Sequence, residues 1–591
     1  MDDDLVTTDL LIVGAGPAGA SLACFLGSYG QKGIIIAAAS GTADTPRAHI
    51  TNAAALECLR DIGLEKECID AGSHGHSMQH TRWCRSMAGE EFGRVYSWGH
   101  DPLRAGDYTV ASPCSHCDLP QTKLEPILIR RAVQQGWMLR FNTTFVAIKK
   151  LTTDYVLCEV NDDMTNKRYT IRCRYLFGCD GARSQVVHEL QLPFNKKDGQ
   201  GVALNILVRA DLSHLIRYRN GNLHWVFEPD KERPLWGWAC ILRMVKMWNE
   251  WMFIFLPKPG ANGRAPEMTG TMAEYHQQVK QVIGDNSVEI EILDASKWWI
   301  NEIVAEQYSR GNVFCLGDSV HRHPPFNGLG SNTCVQDAFN LAWKIHYVLS
   351  GNAGKDLLDT YSLERQPVGA DVVARANQGL RDHLPWMTTI GLLEDDLEER
   401  KRILATFNST DECGRRKRQE WQKALEQTKT EFHGLGIEMN QRYTSSAVFI
   451  AEEKCAPSMP RDPISHYQMT TFPGRRLPHA WLNTRKVGKP TSTIDLAGHG
   501  CFCLLTGPGG DNWARAASEV SHQIGTEVRC YSIGWCQDYE DVYFDWEKLR
   551  EVEEDGCVLI RPDRFVAWRA PSLLKDCTAK LRTVLDAVLA V

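Results

Sequence analysis

The chain has 591 residues, 43% of them hydrophobic and 24% charged, with a net charge of -7. That length predicts two or three packed units rather than one core. The charge excludes nucleic acid as a partner, because phosphate binding needs a concentrated basic face, and the one basic run, Arg415 to Arg418, lies among mixed charges.

The first expected element is a buried strand over 9–13, followed by the turn Gly14-Ala15-Gly16-Pro17-Ala18-Gly19 and an apolar helix over 20–29. A second strand follows at Gly33 to Ile36, completing a βαβ unit. Gly14 permits the tight turn, Gly16 lets the backbone approach a pyrophosphate at the helix N-terminus, and Gly19 allows close helix–strand packing. The acidic residue expected about 20 positions on, to bind an adenosine ribose, is missing. Ala37-Ala38-Ala39 stand there instead, and Asp44 lies in the turn beyond.

No secretory signal precedes this unit, and no run of about 18 apolar residues occurs, so no membrane span is expected. The 20 cysteines are scattered, which predicts reduced thiols in the cytoplasm. Cys114 and Cys117 form a lone C-x-x-C around His116 with no second pair, so no metal site is expected.

Strand-like segments recur from 140 to 180 and end at Cys179-Asp180-Gly181. The stretch 202–256 is β-rich and aromatic, with strand patterns at 202–207, 223–227, 236–238 and 251–255. Trp225, Trp236 and Trp238 there suit the floor under a flat apolar ligand, and suit an ordinary sheet core as well. A strand at 313–316 leads into Gly317-Asp318-Ser319 and a glycine-rich turn, with a helix up to residue 350. An Asp at a strand end can accept hydrogen bonds from sugar-like hydroxyls, and glycines beyond it offer close backbone approach. Residues 390–430 are charged and helical in pattern. After Pro473-Gly474 a new αβ segment begins, with strands near 501–505 and 558–560 and a closing helix over 573–589.

Three motifs in this order, the glycine fingerprint, the Asp-Gly motif and the Gly-Asp motif, resemble the group A flavoprotein monooxygenases, the family of p-hydroxybenzoate hydroxylase and phenol hydroxylase. Gln336 to Lys344 and Glu364-Arg365-Gln366-Pro367 strengthen the likeness. The resemblance implies an α/β fold with a Rossmann-like FAD-binding domain (1–82, 116–200 and 300–385) and an interleaved mixed-β substrate domain (83–115 and 201–299). A helical linker (386–470) and a thioredoxin-like C-terminal domain (471–591) complete it. Pro473 to His479 and Asp555 to Asp563 carry the last likeness, without a redox dithiol, so that domain is expected to be structural or dimer-forming.

The same resemblance implies FAD as cofactor and NAD(P)H and O₂ as co-substrates, the reduced flavin forming a C4a-hydroperoxide that hydroxylates a phenolic ring. A Baeyer–Villiger or epoxidising reaction on a polyketide-like metabolite is the alternative. Position by position, it implies that Gly14, Gly16, Ala18 and Gly19 hold the pyrophosphate and Asp318 the ribityl chain. Pro325, Gly328, Gly330, Ser331 and Asn332 would line the flavin ring, with Arg47 and Gln121 also on the cofactor. Asp180 and Gly181 belong to the motif linked to both FAD and NAD(P)H. Cys334 stands where a smaller residue is usual. His49, two residues after Arg47, is the candidate base, since imidazole can take a phenolic proton near neutral pH; fixing the local turn is its other reading. His321 is read as ordering the loop, and His323 as a residue that could face substrate. A homodimer fits the family.

Overall fold

The computed structural model describes residues 5–197, 201–258 and 270–591. The strand Leu5–Val13 ends in four fully apolar, buried residues and is central to an eight-stranded sheet. It pairs in parallel with Lys167–Gly178 on one side and Ile34–Ile36 on the other. Val313–Cys315 continues the sheet beyond Lys167–Gly178. The Asp-Gly and Gly-Asp motifs therefore leave the sheet from adjacent strands, the first of which lies next to the strand that feeds the glycine turn. Ligands bind at such carboxyl ends in open α/β sheets. The first helix, Pro17–Ser28, starts inside the glycine motif rather than at residue 20, because a proline is pre-organised for the first helical turn.

A seven-stranded sheet forms the second layer, in the order Glu291–Trp299, Val202–Arg209, Glu250–Leu256, Ala239–Lys246, Leu223–Val226, His80–Cys84 and Glu91–Tyr96. Successive side chains alternate between its faces. Trp83, Ala203, Leu223, Trp225, Ala239 and Ile241 share one face with Ile50 and Phe326 from the glycine-turn side of the molecule. Leu204, Val226, Cys240 and Leu242 point the other way, into a separate core with the helix Met272–Ile283. The strand expected at 236–238 is instead a one-turn 3-10 helix, Leu235–Gly237. Pro234 opens it, and the strand proper starts at Ala239.

The C-terminal unit is a four-stranded sheet ordered Val528–Ser532, Phe502–Thr506, Cys557–Ile560, Val566–Ala570. The first two strands are parallel and joined by the helix Asp511–Ile524, and the remaining pairs are antiparallel. This βαβ–ββα order fits the thioredoxin-like expectation, while the turn entering the helix reads Pro508-Gly509-Gly510 and carries no cysteine. The closing helix begins at Cys577 rather than 573, because the Asp576 side chain accepts from the Ala579 N–H and caps it.

Buried ion pairs fasten this unit to the rest. Both Arg561 terminal nitrogens donate to Glu364, at 2.6 and 2.8 Å, and Arg561 also holds Asp563 at 2.6 Å. Lys344, on the long helix Gly330–Leu349, donates to the same Glu364 at 2.7 Å. Arg476 pairs with Glu57, and Arg564 lies 3.0 Å from Asp61. The Glu364-Arg365 motif is thus a lock between units. No helix among the described residues is long and apolar enough to cross a membrane.

Candidate active site

Three sequence-distant segments meet beside the glycine turn. Ile50 and Thr51 pair antiparallel with Asp118 and Cys117. The backbone N–H groups of Leu119 and Gln121 donate to the His49 and Ala48 carbonyls, at 2.7 and 2.8 Å. Asn332 closes the third side: its Nδ2 donates to the Ile50 carbonyl at 2.8 Å, and its Oδ1 accepts from the Asn52 N–H at 2.9 Å. Residues 47–52 are therefore clamped between 117–121 and 328–332. Gly328 has φ +61°, and a Cβ there would lie 2.9 Å from the Ile50 Cβ. Glycine is required for the close approach as well as for the left-handed backbone.

The glycine turn separates packing from binding. A Cβ on Gly14 would lie 2.2 Å from the Cys179 carbonyl oxygen, and one on Gly19 would lie 2.1 Å from the Gly14 carbonyl oxygen. Both are needed to press the turn against the Asp-Gly strand. Gly16 differs, because a Cβ there would meet only Glu125 Oε1, at 3.7 Å. No internal packing demands glycine at this position, and the open space beside it suits a phosphate drawn to a helix N-terminus. Gly317 sits against Ala18 and Cys334, which joins the Gly-Asp motif to the same turn. The donor set and the cradle fit a dinucleotide.

The remaining cofactor candidates divide. Arg47 and Asp318 are exposed, and Asp318's carboxylate has no hydrogen-bonding partner among the described residues. Pro325 is exposed, Gly181 lies in the turn after Asp180, and Gly330 and Ser331 are half-buried at the start of the long helix. Asp180 is spent on the backbone instead. It accepts from Ser184 Oγ and the Gln185 and Val186 N–H groups, at 2.5, 2.7 and 3.2 Å, at the start of the helix Gln185–Leu190. Gln121 Nε2 donates to Glu125 at 2.6 Å, and the other Glu125 oxygen accepts from the Ala43 N–H at 2.6 Å. Burial pushes the Glu125 carboxyl up from its ordinary value. This carboxylate facing the glycine turn was not singled out in the sequence as a replacement for the acid missing at Ala37.

Comparison with known proteins decides the family. Residues 7–376 match the FAD binding domain family, and residues 470–590 match the aromatic-ring hydroxylase C-terminal family. The chain belongs to the FAD-dependent aromatic-ring hydroxylases. It is 39% identical over 588 residues to a 2,4-dichlorophenol 6-monooxygenase of Delftia acidovorans, covering 99% of each chain. It is 40% identical over 590 residues to a phenol 2-monooxygenase of a Pseudomonas species, covering 99% of this chain and 93% of that one. A crystal structure of the flavin-dependent monooxygenase PieE in complex with FAD and substrate superposes with a TM-score of 0.92, at 36% identity over 99% of both chains.

In this hydroxylase His49 is buried where the clamp meets the second sheet. Its Nδ1 lies 3.2 Å from Asp118 Oδ1, and the other Asp118 oxygen accepts from Asn222 Nδ2 at 2.5 Å. Arg243 Nη2 stands 3.6 Å from that same oxygen, and the Arg243 Nε and Nη2 atoms are buried without hydrogen bonds. Arg243 faces this way because it continues the alternation of Ala239 and Ile241. Burial, with Arg243 next, holds the His49 imidazole below its ordinary pKa of 6.5, against the opposing pull of Asp118. Burial alone would raise Asp118, but Arg243 and His49 overcome it and keep the carboxyl below its ordinary range. Sequence reasoning named His49 as a candidate and did not name Asp118, Asn222 or Arg243.

The aromatic candidates separate. Trp225 lies on the face toward the clamp, stacked on His383 at 4.5 Å and near Phe326 at 6.5 Å. Trp238 shares that core, but its indole N–H donates to the Leu392 carbonyl, and Lys258 and Arg400 stand 4.5 and 4.7 Å over its ring. It packs the helical region onto the sheet. Trp236 is a correction to the sequence reading: its ring meets Phe255 and Tyr275 in the core behind the sheet, at 5.4 and 5.2 Å, because the 3-10 turn swings it to the other side. His323 Nδ1–H donates to the Pro324 carbonyl at 2.7 Å, and its Cε1 lies 3.7 Å from where a Cβ on Gly330 would be. It is on the glycine loop, and burial lowers its pKa.

Proposed function

We propose that this hydroxylase adds one atom of O₂ to the ring of a phenol, with His49 as the base that takes the phenolic proton. The observation that carries the reading is a neutral, buried imidazole at the seam between the clamp and the Trp225 face of the aromatic sheet. The names of the phenol and dichlorophenol monooxygenases it resembles support the substrate class over a polyketide-like one.

FAD, reduced by NAD(P)H, supplies the activated oxygen when bound; the protein supplies position, dryness and proton transfer. In this reading Gly14, Gly16, Ala18 and Gly19 bring backbone to the pyrophosphate, and Asp318 offers its exposed carboxylate to hydroxyls of the ribityl chain. Arg47, Gln121, Pro325, Gly328, Gly330, Ser331 and Asn332 border the flavin ring, while Asp180 and Gly181 shape the turn that backs Gly14. Trp225 walls the substrate and keeps water away. The ring is attacked as an electrophile's partner, so a phenolate reacts far better than a phenol, and removing the proton is worth about 10²- to 10⁴-fold. A cytoplasmic homodimer belongs to this reading; 20 free thiols support the compartment, and sedimentation tests the dimer.

The test follows NADH and NADPH oxidation by the yellow holoenzyme across a panel of phenols, with oxygen uptake and product identified. Oxidation that rises with one phenol, giving its catechol, is expected. Bound FAD without stimulation by any phenol would refute the substrate class.

A further inference from the structure

We propose that Asp118 is the positioning residue that makes His49 a base, by keeping its proton on Nδ1 and leaving Nε2 free for the phenolic proton. The inference rests on the reading of His49 as the base and adds to it the reason that one ring nitrogen is available.

The two side chains are fixed by backbone. Ile50 pairs with Asp118, and the Leu119 N–H donates to the His49 carbonyl at 2.7 Å, so neither Cα can shift relative to the other without breaking the strand pair. An ionised carboxylate only accepts hydrogen bonds. The contact at 3.2 Å between His49 Nδ1 and Asp118 Oδ1 then requires Nδ1 to carry the hydrogen. In a neutral imidazole the lone pair must then be on Nε2, and the ring's side-chain hydrogen bond is made at Nδ1. The charged groups facing His49 are Asp118 and Arg243, with the Pro46 carbonyl as a further polar neighbour.

Asp118 stays ionised because two hydrogen-bonding partners, His49 and Asn222, and the nearby positive charge of the Arg243 guanidinium converge on it. Before reaction Asp118 and Arg243 balance each other's charge. When the phenol O–H bond breaks, its electron pair stays on oxygen and an N–H bond forms at Nε2. Nothing is oxidised or reduced in this step. The imidazolium produced lies against Asp118, which offsets the cost of creating a cation in a buried site.

The neighbours also dictate what Asp118→Asn does. Asn222 donates to the Oδ2 position, and Arg243 faces it, so the amide oxygen must turn that way. The amide NH₂ then faces His49 and donates to Nδ1, which moves the ring hydrogen to Nε2 and removes the acceptor. The shape of the site is unchanged.

The experiment compares wild type, Asp118→Asn, Asp118→Glu and His49→Gln as holoenzymes, each checked for bound flavin by its visible spectrum. Substrate affinity is read from the flavin spectral perturbation, turnover as a function of pH, and the tautomer from nitrogen-15 resonances of histidine-labelled protein, with His49→Gln identifying the signal. Asp118→Asn should bind substrate as wild type does, turn over about 100-fold more slowly, lose the acid limb of its pH profile and show the hydrogen on Nε2. Asp118→Glu should recover part of the rate. Wild-type turnover with an unchanged tautomer in Asp118→Asn, while His49→Gln is slow, would overturn the role of Asp118 alone. A fast His49→Gln would remove the base reading itself and this inference with it.

Discussion

Among the described residues the protein holds two buried His–Asp pairs, and they differ in what else touches them. His321 Nε2 lies 2.8 Å from Asp337 Oδ2, and both side chains are fully buried. Asp337 also accepts from Arg365 Nε at 2.7 Å and from the Gly317 N–H at 3.2 Å. Arg365 in turn donates to Gln441 and to the Tyr443 hydroxyl. Every bond of this pair ties one element to another: the Gly-Asp loop, the long helix and the helix Asp359–Arg381. The remaining nitrogen, His321 Nδ1, is sealed inside the protein, out of reach of a substrate proton. The His49–Asp118 pair uses the same two residue types at a seam between two sheets. Its extra neighbours, Asn222 and Arg243, come from the side of the seven-stranded sheet, and in the proposed reading its Nε2 is left for chemistry. A histidine beside an aspartate is therefore a brace or a base according to where its second nitrogen looks.

Removing the anion from the brace should have the largest effect. Asp337→Ala leaves the Arg365 guanidinium buried without its carboxylate, which costs about 3–5 kcal/mol of stability. Thermal unfolding of the holoenzyme measures it, and an unshifted midpoint would show that the pair is not a brace. His49→Gln should lower turnover about 100-fold, or about 2.7 kcal/mol of barrier, while changing the unfolding midpoint little. His321→Gln should do the reverse, losing about 1–3 kcal/mol of stability through the unpaired Asp337 oxygen, with turnover per bound flavin unchanged. Equal slowing in both glutamine variants at equal flavin content would collapse the distinction between the pairs.

Much of the first unit was legible because its signals are local. The strand–turn–helix at 5–28, the motif strand ending at Gly178 and the helix from Gly330 all show as apolar runs broken by glycine. His49 could be proposed from its neighbours in the chain. Asp118 could not, because it reaches His49 across 69 residues through a strand of two residues, Cys117–Asp118, too short to leave a periodic pattern. Asn222, one residue before the strand Leu223–Val226, and Arg243, within the strand Ala239–Lys246, belong to no motif, and only the fold brings them to Asp118. Trp236 was misplaced for the opposite reason: it was counted in step with Trp238, although Pro234 breaks the strand before either. Asp180 lies in a motif associated with cofactor, yet its carboxylate is used up capping a helix.

The smallest expected effect concerns acid, and it separates titration of the site from loss of the fold. Burial and Arg243 hold His49 below 6.5, so the imidazole is neutral and active above that value. Turnover should fall only as pH drops below about 6.5, the ordinary histidine value. Acid also destabilises the protein elsewhere, and by a related route. His479 is pushed down to about 4 by burial, with Nδ1 2.6 Å from the Ser492 hydroxyl and its ring edge-on to Trp481. Between pH 6.5 and 4 the unfolded chain binds a proton here that the folded chain refuses, so stability falls as pH falls, by about 2 kcal/mol at pH 5. His433, also pushed down to about 4, adds a similar amount. His479→Gln removes one such proton and should move acid unfolding to lower pH. Because His479 lies in the C-terminal unit, away from the clamp, the acid limb of turnover should stay where it was. If that limb shifts together with the unfolding curve, it reports denaturation and not the protonation of His49.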